Sequence, residues 1–271
     1  MSKPNRGVAL VTGASTGIGN ATAKALQTAG FRVFGTSRRA SGERADGVTM
    51  LSCDVTDDAS VTKLVDEVLA KAGRIDLLVN NAGIGLLGGA EEASIAAAQA
   101  LFDVNVFGVL RMTNSVLPIM RRQGSGRIIN MSSVLGLIPA PYSALYASTK
   151  HAVEGYSESL DHELRAFGIR VALVEPAHTR TAFGENLAQP DRLLDAYGQA
   201  RAGIIEHMRK ALEIGDTPEV VAETVVKAAT DTIPKRRYAA GKMARQVSLL
   251  RRFVPAAAFD KSLRKQMGLP V

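Results

Sequence analysis

A glycine-rich turn near the start of the chain restricts the possible folds more than any other feature. The apolar run from Gly7 to Thr12 predicts a buried parallel strand, and a helical pattern follows directly and stops at Gly30. Between them the glycines are spaced Gly-x-x-x-Gly-x-Gly. Glycines at a strand-to-helix turn let the backbone approach a pyrophosphate, whose charge the helix N-terminus attracts. We therefore predict a nucleotide site made by Gly13, Ser15, Thr16, Gly17, Ile18 and Gly19.

The order of the predicted elements defines the fold class. Six predicted strands alternate with helices, and a seventh comes last, which requires a parallel sheet with right-handed crossovers and helices on both faces. We predict a single α/β domain over residues 1–271, a Rossmann-type doubly wound parallel sheet of about seven strands. The predicted strands lie near residues 7–12, 32–36, 48–53, 75–79, 128–133, 169–174 and 237–240.

The end of the second predicted strand determines which cofactor fits. An acid there would accept a hydrogen bond from the 2′-hydroxyl of the adenosine ribose and select NAD. The chain instead reads Ser37-Arg38-Arg39. Two guanidinium groups and a hydroxyl suit a 2′-phosphate through charge-assisted hydrogen bonds, although arginines after a strand are often only solvated. We therefore expect NADP(H).

A serine, a tyrosine and a lysine form the candidate catalytic set. Tyr146 and Lys150 are four residues apart on a predicted helix, so they share a helix face. A free phenol has a pKa of about 10, too high for ready proton transfer at neutral pH, and a neighbouring cation lowers it. Ser133 closes the preceding strand and can bind the reacting oxygen. Alone, Tyr-x-x-x-Lys is also typical of a solvated helix face.

The glycine spacing, Ser133 and Tyr146-x-x-x-Lys150 together resemble the short-chain dehydrogenase/reductase family. The motif set and a basic C-terminal extension look like its hydroxysteroid and retinol dehydrogenase branch. The resemblance implies strand order 3-2-1-4-5-6-7 and hydride transfer between NADP(H) and a carbonyl or secondary alcohol. The implied small-molecule substrate is a lipophilic ketone or alcohol, steroid- or retinoid-like. A 3-oxoacyl thioester reductase and a non-catalytic NADP-binding regulatory protein are the alternatives.

The resemblance also implies how the catalytic helices work. Lys150 would lower the pKa of Tyr146 and, with Tyr146, contact the nicotinamide ribose. Asn105 interrupts a helix predicted over about residues 100–120, where asparagine is locally unfavourable. By resemblance it kinks this helix and holds a water that links Lys150 to solvent, and a satisfied core amide is the alternative. The helices around Asn105 and Tyr146 would form the contact of a homodimer or homotetramer.

Further cofactor contacts are implied at three other strand ends. The third strand end would meet the adenine, the fourth the nicotinamide riboside, and the sixth the carboxamide and phosphates. An acid after the third strand can also simply cap the next helix. Alanine at position 177 replaces the family's usual glycine, which leaves the path of that loop open. The implied residues are Asp54, Val55, Asn81, Ala82, Gly83, Pro176, Thr179 and Thr181.

Two segments lie outside the repeating strand and helix pattern. Residues 182–215 are helical in pattern, with apolar residues among charges, and predict either a lid over a hydrophobic substrate or a segment packed on the domain. Residues 242–271 form a basic extension of two short amphipathic helices separated by Pro255. From Lys235 onward there are ten basic residues and one acid, Asp260. This extension predicts docking on the domain or a sister subunit, or peripheral contact with an anionic membrane.

Composition excludes several other classes. The net charge of +7 comes from the residues from Lys235 onward, which carry +9, whereas the rest of the chain carries −2, so nucleic-acid binding loses its main support. The single cysteine, Cys53, and the absence of a signal peptide pattern predict a cytoplasmic protein, and we find no run of about 18 apolar residues to span a bilayer. The four histidines have no ligand spacing, so we expect no catalytic metal.

Overall fold

The computed structural model describes residues 5–39, 41–185 and 187–270, and these form one central eight-stranded sheet. The sheet has the order β3-β4-β2-β1-β5-β6-β7-β8. Seven of the strands are parallel, and without β3 their order is the predicted 3-2-1-4-5-6-7. The strands are β1 (Val8–Val11), β2 (Arg32–Ser37), β3 (Gly42–Glu43), β4 (Thr49–Ser52), β5 (Leu77–Asn80), β6 (Gly126–Met131), β7 (Ile169–Pro176) and β8 (Arg237–Ala240).

The two-residue strand β3 is the one strand of this sheet that the sequence did not predict. It pairs antiparallel with β4, Gly42 opposite Met50 and Glu43 opposite Thr49, and so covers the edge of the sheet. Neither of its residues carries an apolar side chain, so no periodic pattern marks it. The predicted doubly wound α/β fold is otherwise confirmed.

Helices cover both faces of the sheet. On one face α2, α4 and α5 pack against Leu10, Leu78, Ile128 and Val171. On the other face α1 and α8 pack against Val11, Ile129 and Val174. Alternate residues of each strand thus enter opposite cores, as a sheet buried on both sides requires. The helices are α1 (Gly17–Thr28), α2 (Asp58–Ala72), α3 (Ile95–Phe102), α4 (Gly108–Gln123), α5 (Ala144–Leu164), α6 (Ala182–Glu185), α7 (Gly198–Glu213), α8 (Pro218–Thr230), α9 (Gly241–Phe253) and α10 (Ala256–Gln266).

Helices α3 and α4 form one continuous helix, joined by a π-helical segment over Asp103–Phe107. By length and composition this helix could cross a membrane, with a mean hydropathy of 1.3 in its best window, which corrects the expectation that no such stretch exists. Its inner face, including Met112 and Val116, packs in the core against the sheet. A single helix of this kind is weak evidence for a membrane span, because core helices pass the same test.

Buried amides hold the ends of β5 and β6 against the helices that carry the site. Asn80 and Asn130 lie opposite each other in the two strands, and Asn80 Nδ2 donates to Asn130 Oδ1 at 2.8 Å. Asn80 also donates to the Thr113 hydroxyl on α4 (3.2 Å), and Asn130 donates to the Ser157 hydroxyl on α5 (2.8 Å). Because all four side chains are buried, these bonds fix α4 and α5 relative to the strand ends.

A buried carboxylate fixes the other end of α5. Asp161 is fully buried and accepts hydrogen bonds from Arg170 Nε (2.8 Å), Arg165 Nε (3.0 Å) and the Val171 amide (3.0 Å). Burial alone would raise the pKa of Asp161, but these three donors outweigh it and lower the pKa to about 2. The carboxylate therefore ties α5 to the start of β7.

Replacement of Asp161 should destabilise the fold in a pH-dependent way. We expect Asp161→Asn to lower the free energy of unfolding at pH 7 by about 3 kcal/mol, since two guanidinium groups lose their buried partner. A carboxylate with a lowered pKa contributes stability above its unfolded pKa of about 3.9 and loses it as the pH falls towards 2. Urea unfolding at pH 7 and pH 3 should show the difference between variant and parent shrinking at the lower pH.

The matched control is Asp58→Asn, because the Asp58 side chain is 86% exposed and pairs with Arg111 at the surface. It should cost less than about 1 kcal/mol. Equal stability of Asp161→Asn and the parent at pH 7 would contradict the anchoring role.

Candidate active site

The glycine-rich turn leaves no room for side chains where a phosphate would approach. A Cβ on Gly19 would lie 2.2 Å from the Gly13 carbonyl oxygen and 2.4 Å from Asn81 Nδ2, so only glycine fits. Gly17 has a φ of +54°, and a Cβ there would lie 3.3 Å from Thr181. The turn therefore lies directly below the loop that contains Thr181, and the residues present suit a pyrophosphate at the start of α1.

The Thr12 hydroxyl joins this turn to the segment that follows β5. It accepts hydrogen bonds from the backbone amides of Asn81 (2.9 Å) and Ala82 (3.0 Å). In return, Asn81 Nδ2 donates to the carbonyls of Thr12 (2.9 Å) and Gly13 (3.2 Å). The predicted contacts Asn81, Ala82 and Gly83 thus lie beside the glycine-rich turn. Thr12 was not among the predicted site residues, and its place at the end of a predicted strand was the signal for it.

The residues predicted to surround the adenosine lie at the carboxyl ends of neighbouring strands. Ser37 ends β2 and pairs with Ser52, which ends β4, so Arg38 and Asp54 follow adjacent strand ends. Arg38 and Arg39 are exposed, and Arg38 lies close enough to Asp54 to help lower the pKa of that carboxyl. The predicted adenosine contacts therefore follow strands that are neighbours in the sheet, and their binding roles stay predictions.

Asp54 does not cap the following helix. Its Oδ1 accepts from the Thr56 amide (2.9 Å) and hydroxyl (2.7 Å), and these bonds are the main reason that its pKa is lowered. Asp57 caps α2 instead, accepting from the Ala59 and Ser60 amides. Val55, the neighbouring predicted contact, is buried in the core.

Arg44 is a site residue that sequence reasoning missed. It follows β3, and its Nη2 donates to Asn20 Oδ1 in α1 (2.7 Å) and forms an ion pair with Asp46 (2.5 Å). Its Nη1 lies 3.4 Å from the carbonyl of Ala14 in the glycine-rich turn. The Arg44 guanidinium group therefore lies beside the turn, placed there by a strand that leaves no signal in the sequence.

Ser133 and Tyr146 lie together as predicted. Ser133 follows β6 and caps a 3₁₀ turn, accepting from the Leu135 amide at 3.1 Å. Tyr146 lies in the first turn of α5, with its phenol close enough to the Ser133 hydroxyl to be influenced by it. Burial raises the pKa of Tyr146 well above its usual value, and the neighbouring Ser133 hydroxyl opposes this rise only partly. The phenol is therefore a neutral acid in this site, which is the reverse of the lowering expected from Lys150.

Lys150 is 7% exposed and lies under the Tyr146 ring, with Nζ 5.5 Å from the ring centre. Nζ donates to the carbonyl of Met131, at the end of β6, at 2.9 Å. Burial lowers the pKa of Lys150 to about 8, and the carboxylate of Glu154 acts in the opposite direction. The ammonium group thus loses its proton within reach of neutral pH.

Asn105 lies in the π-helical segment, the kind of helix defect that often occurs at functional sites. Its side chain accepts from the Ile84 amide (2.9 Å) and donates to the Ile84 carbonyl (2.8 Å) and the Thr149 hydroxyl (3.2 Å). The amide is therefore fully bonded, as in a satisfied core amide, while it also joins the segment after β5 to α5. The predicted disturbance of the helix is present as this π segment, and the water relay stays a prediction.

The loop after β7 does not need the glycine that alanine replaces at position 177. Among the non-glycine residues that the structure describes, only Tyr142 has a positive φ, so Ala177 keeps an ordinary backbone conformation. Thr179 is buried and its hydroxyl donates to the Ala177 carbonyl at 3.2 Å. Pro176 ends β7, and the loop then runs to Thr181 above Gly17.

The segment after this loop covers Tyr146. The Phe183 and Tyr146 rings are 6.0 Å apart, and a Cβ on Gly85 would lie 2.3 Å from Leu187 and 2.9 Å from Phe183. Backbone hydrogen bonds join Ala188 to Gly85 (2.8 Å) and to Leu87 (3.2 Å). An apolar wall therefore closes one side of the site.

Glu92 anchors this wall from beneath. It is fully buried, and its carboxylate accepts from the amides of Gly89 (2.7 Å) and Leu194 (2.9 Å) and pairs with Arg201 of α7. Burial opposes the charge, but these donors lower the pKa of Glu92. Nothing in the sequence pattern marked this acid, because it lies outside any strand or helix with a clear periodicity.

The basic extension docks beside the site. Helix α9 packs on β7, β8 and the 3₁₀ turn after Ser133, and Arg251 Nε donates to the Leu137 carbonyl at 3.2 Å. Its small residue Ala244 is buried, whereas Leu249, Leu250 and Phe253 are 58%, 50% and 72% exposed. The extension therefore docks through one face and exposes apolar and basic side chains on the other.

No three potential metal ligands are grouped within residues 5–39, 41–185 and 187–270. His178, in the loop after β7, is largely buried, and burial lowers its pKa. Cys53 is a buried free thiol in the core on the α2 side of the sheet.

Comparison with known proteins identifies the family. Residues 7–192 match the family model described as short chain dehydrogenase, so the chain belongs to the short-chain dehydrogenases. It is 44% identical to the 3-ketodihydrosphingosine reductase of Bacteroides thetaiotaomicron over 66% of each chain. It is 35% identical to human 17-beta-hydroxysteroid dehydrogenase type 1 over 86% of this chain and 77% of that protein.

Solved structures agree with the family. A short-chain dehydrogenase from Streptomyces avermitilis is 32% identical and has a TM-score of 0.80 over 97% of this chain and 98% of its own. One from Burkholderia phymatum, in complex with NAD, is 26% identical with a TM-score of 0.78, covering 93% and 94%. A metagenomic one in complex with NADP is 28% identical with a TM-score of 0.67, covering 88% and 98%. Both NAD and NADP therefore occur as bound cofactors among these similar structures.

Proposed function

We propose that this short-chain dehydrogenase transfers hydride between NADP(H) and the carbonyl or secondary alcohol of a lipophilic small molecule. The observation that carries the proposal is the placement of Ser133, Tyr146 and Lys150 against one another at the carboxyl edge of the sheet, next to the glycine-rich turn. The segment over Tyr146 contributes Phe183 and Leu187, which suit an apolar substrate.

The geometry supports a distinct task for each group. The nicotinamide would supply or accept the hydride at the carbonyl carbon. Tyr146, neutral because burial raises its pKa, donates its proton to the carbonyl oxygen during reduction, and the Ser133 hydroxyl binds the same oxygen as charge develops on it. Lys150 supplies a positive charge beneath the phenol, so it stabilises the phenolate that remains after proton transfer.

The lipophilic substrate class rests on the covering segment and on relatives. Residues 182–215 act as the lid in this proposal, with Phe183 and Leu187 towards the substrate. The names of the two relatives described above indicate a ketodihydrosphingosine and a hydroxysteroid as their substrates, and both molecules are lipophilic.

We propose a cytoplasmic location for the reaction, since the chain's single cysteine is a free, buried thiol.

Removal of the phenol hydroxyl should abolish most turnover. We expect Tyr146→Phe to lower kcat at least about 10²-fold, the scale of a positioned acid, while NADPH still binds. The measurement is the loss of NADPH absorbance with lipophilic ketones, steroids, retinal and short 3-oxoacyl thioesters, with NADPH binding followed by fluorescence. Tyr156→Phe, on the same helix, is the control and should keep its turnover. Equal turnover in Tyr146→Phe would refute the assignment, and NADPH binding without turnover on any substrate would favour a binding protein.

The preference for NADP(H) rests on Arg38 and Arg39, both exposed at the end of β2 with no acid beside them in that segment. We expect kcat/KM to be at least about 10-fold higher with NADPH than with NADH, and Arg38→Asp to reverse the preference, since charge-assisted hydrogen bonds are worth about 1.5–3 kcal/mol. Parallel assays with both cofactors measure this ratio. Arg122→Asp, an exposed change on α4, should leave the ratio unchanged. A higher kcat/KM with NADH in the parent would overturn the preference.

We propose a homodimer or homotetramer that uses the outer face of α3 and α4. A shallow groove of about 680 Å³ lies there, lined by Phe102, Phe107 and Arg111 among others. Ile95 and Phe107 are 75% and 49% exposed, although both are large and apolar. Light scattering by the intact chain tests the oligomer, and a monomer would contradict it.

The exposed side of α9 and α10 suits an anionic membrane surface. We expect the chain to sediment with vesicles of phosphatidylcholine and phosphatidylserine and to be released by salt, as apolar anchors surrounded by arginines predict. The variant Leu249→Ser with Phe253→Ser should lose most binding, whereas Ile233→Ser, which removes an apolar residue that is 85% exposed elsewhere, should not. No sedimentation of the parent chain would remove this contact from the proposal.

A further inference from the structure

A row of ionisable residues runs along α5 behind the phenol. Lys150, Glu154 and Glu158 are spaced four apart, so they lie one above another on a single helix face. Their exposure increases along the row, from 7% for Lys150 and 4% for Glu154 to 37% for the Glu158 side chain. Glu154 is therefore the buried carboxylate one helical turn from the buried ammonium group.

Two other parts of the chain approach the Glu154 carboxylate. Arg237 of β8 pairs with Glu154 at 2.5 Å, and also with Glu175 of β7 at 2.8 Å and Glu158 at 3.0 Å. The Ser132 hydroxyl, directly after β6, and Gly136 of the following turn lie close to the same carboxylate. A Cβ on Gly136 would lie 2.6 Å from Ser132 Oγ and 3.0 Å from Glu154 Oε1. Within the described residues, Arg237 is therefore the cation within ion-pair distance of the Glu154 carboxylate, and Lys150 lies one helical turn away on α5.

The charges around Glu154 determine whether its carboxyl group is ionised near neutral pH. Three carboxylates share one guanidinium group, and two of them, Glu154 and Glu175, are buried. Burial first, and then repulsion from Glu175, raises the pKa of Glu154 to about 7. Above that pH the carboxylate is ionised and favours the charged form of Lys150, whose pKa of about 8 would otherwise fall further with burial.

We propose that Glu154 is a positioning residue for the catalytic lysine, keeping the buried Lys150 ammonium charged at and above neutral pH. The proposal rests on the proposed function, in which the charged Lys150 stabilises the phenolate of Tyr146. Glu154 does not touch the reacting atoms. It acts through Lys150, while Arg237 pairs with its carboxylate.

The test compares the pH dependence of three isosteric variants. Glu154→Gln should move the alkaline limb of kcat/KM for carbonyl reduction about one pH unit lower, because a neutral amide no longer favours the ammonium form. Glu175→Gln, equally buried and also paired with Arg237, and Glu158→Gln, on the same helix face, should not move the limb lower, because both keep the Glu154 carboxylate. Glu154→Asp keeps the charge and should restore the limb at least in part.

A second measurement does not depend on turnover. Nuclear magnetic resonance of chains labelled with ¹³Cε-lysine, with Lys150→Arg used to assign the signal, follows the titration of Lys150 directly. The midpoint should fall by about one pH unit in Glu154→Gln and should not fall in Glu175→Gln. Circular dichroism of each variant confirms that it is folded.

The outcomes separate this inference from the proposed function. An unchanged Lys150 titration in folded Glu154→Gln would overturn the positioning role, whatever the activity. Equal shifts in Glu154→Gln and Glu175→Gln would also overturn it, since they would show a general effect of the cluster. An inactive parent chain whose Lys150 midpoint still falls in Glu154→Gln would leave the electrostatic link intact and count against the proposed reaction instead.

Discussion

The site depends on the hydrogen bonds that join the ends of β1 and β5 through Thr12 and Asn81. Parallel strands end at the same edge of a sheet, but the turns that follow them diverge unless something holds them together. The Thr12 hydroxyl accepts from two backbone amides, and the Asn81 side-chain amide donates to two backbone carbonyls. These four hydrogen bonds keep both turns within contact distance. The Gly13 and Gly83 turns are therefore parts of one rigid surface, against which α5 presents Tyr146.

Burial of charge is the second constraint on this architecture. Lys150, Glu154, Asp161 and Glu92 are all largely or fully buried, and each is treated differently. Asp161 and Glu92 are saturated with donors, so they remain ionised and serve as anchors. Lys150 and Glu154 are less completely paired, so their pKa values move towards neutrality. The buried charges with a full set of hydrogen-bond donors stabilise the fold, whereas the incompletely paired ones lie in or next to the candidate active site. This division is expected where proton transfer occurs near neutral pH.

The parallel sheet and the motif residues could be predicted from the sequence because both depend on patterns within short stretches of the chain. Apolar runs bounded by glycine marked seven strands, and Tyr146 and Lys150 are separated by one helical turn. It missed β3, Arg44 and Glu92, because a two-residue strand has no period and a buried acid in an irregular segment looks like a surface residue. It also gave the wrong direction for the pKa of Tyr146, since the attraction of a cation is visible in a motif whereas the cost of burial depends on the whole packed site.

The wall over Tyr146 is made of two chain segments that are a hundred residues apart and share one hydrogen-bonded seam. Gly85, Leu87 and Glu92 on one side meet Ala188, Leu194 and Arg201 on the other. If either segment alone were transferred into a relative, backbone carbonyls and the buried Glu92 carboxylate would lack hydrogen-bond partners. In the proposed function this wall faces the substrate, so a chimera designed to change specificity has to exchange both segments together.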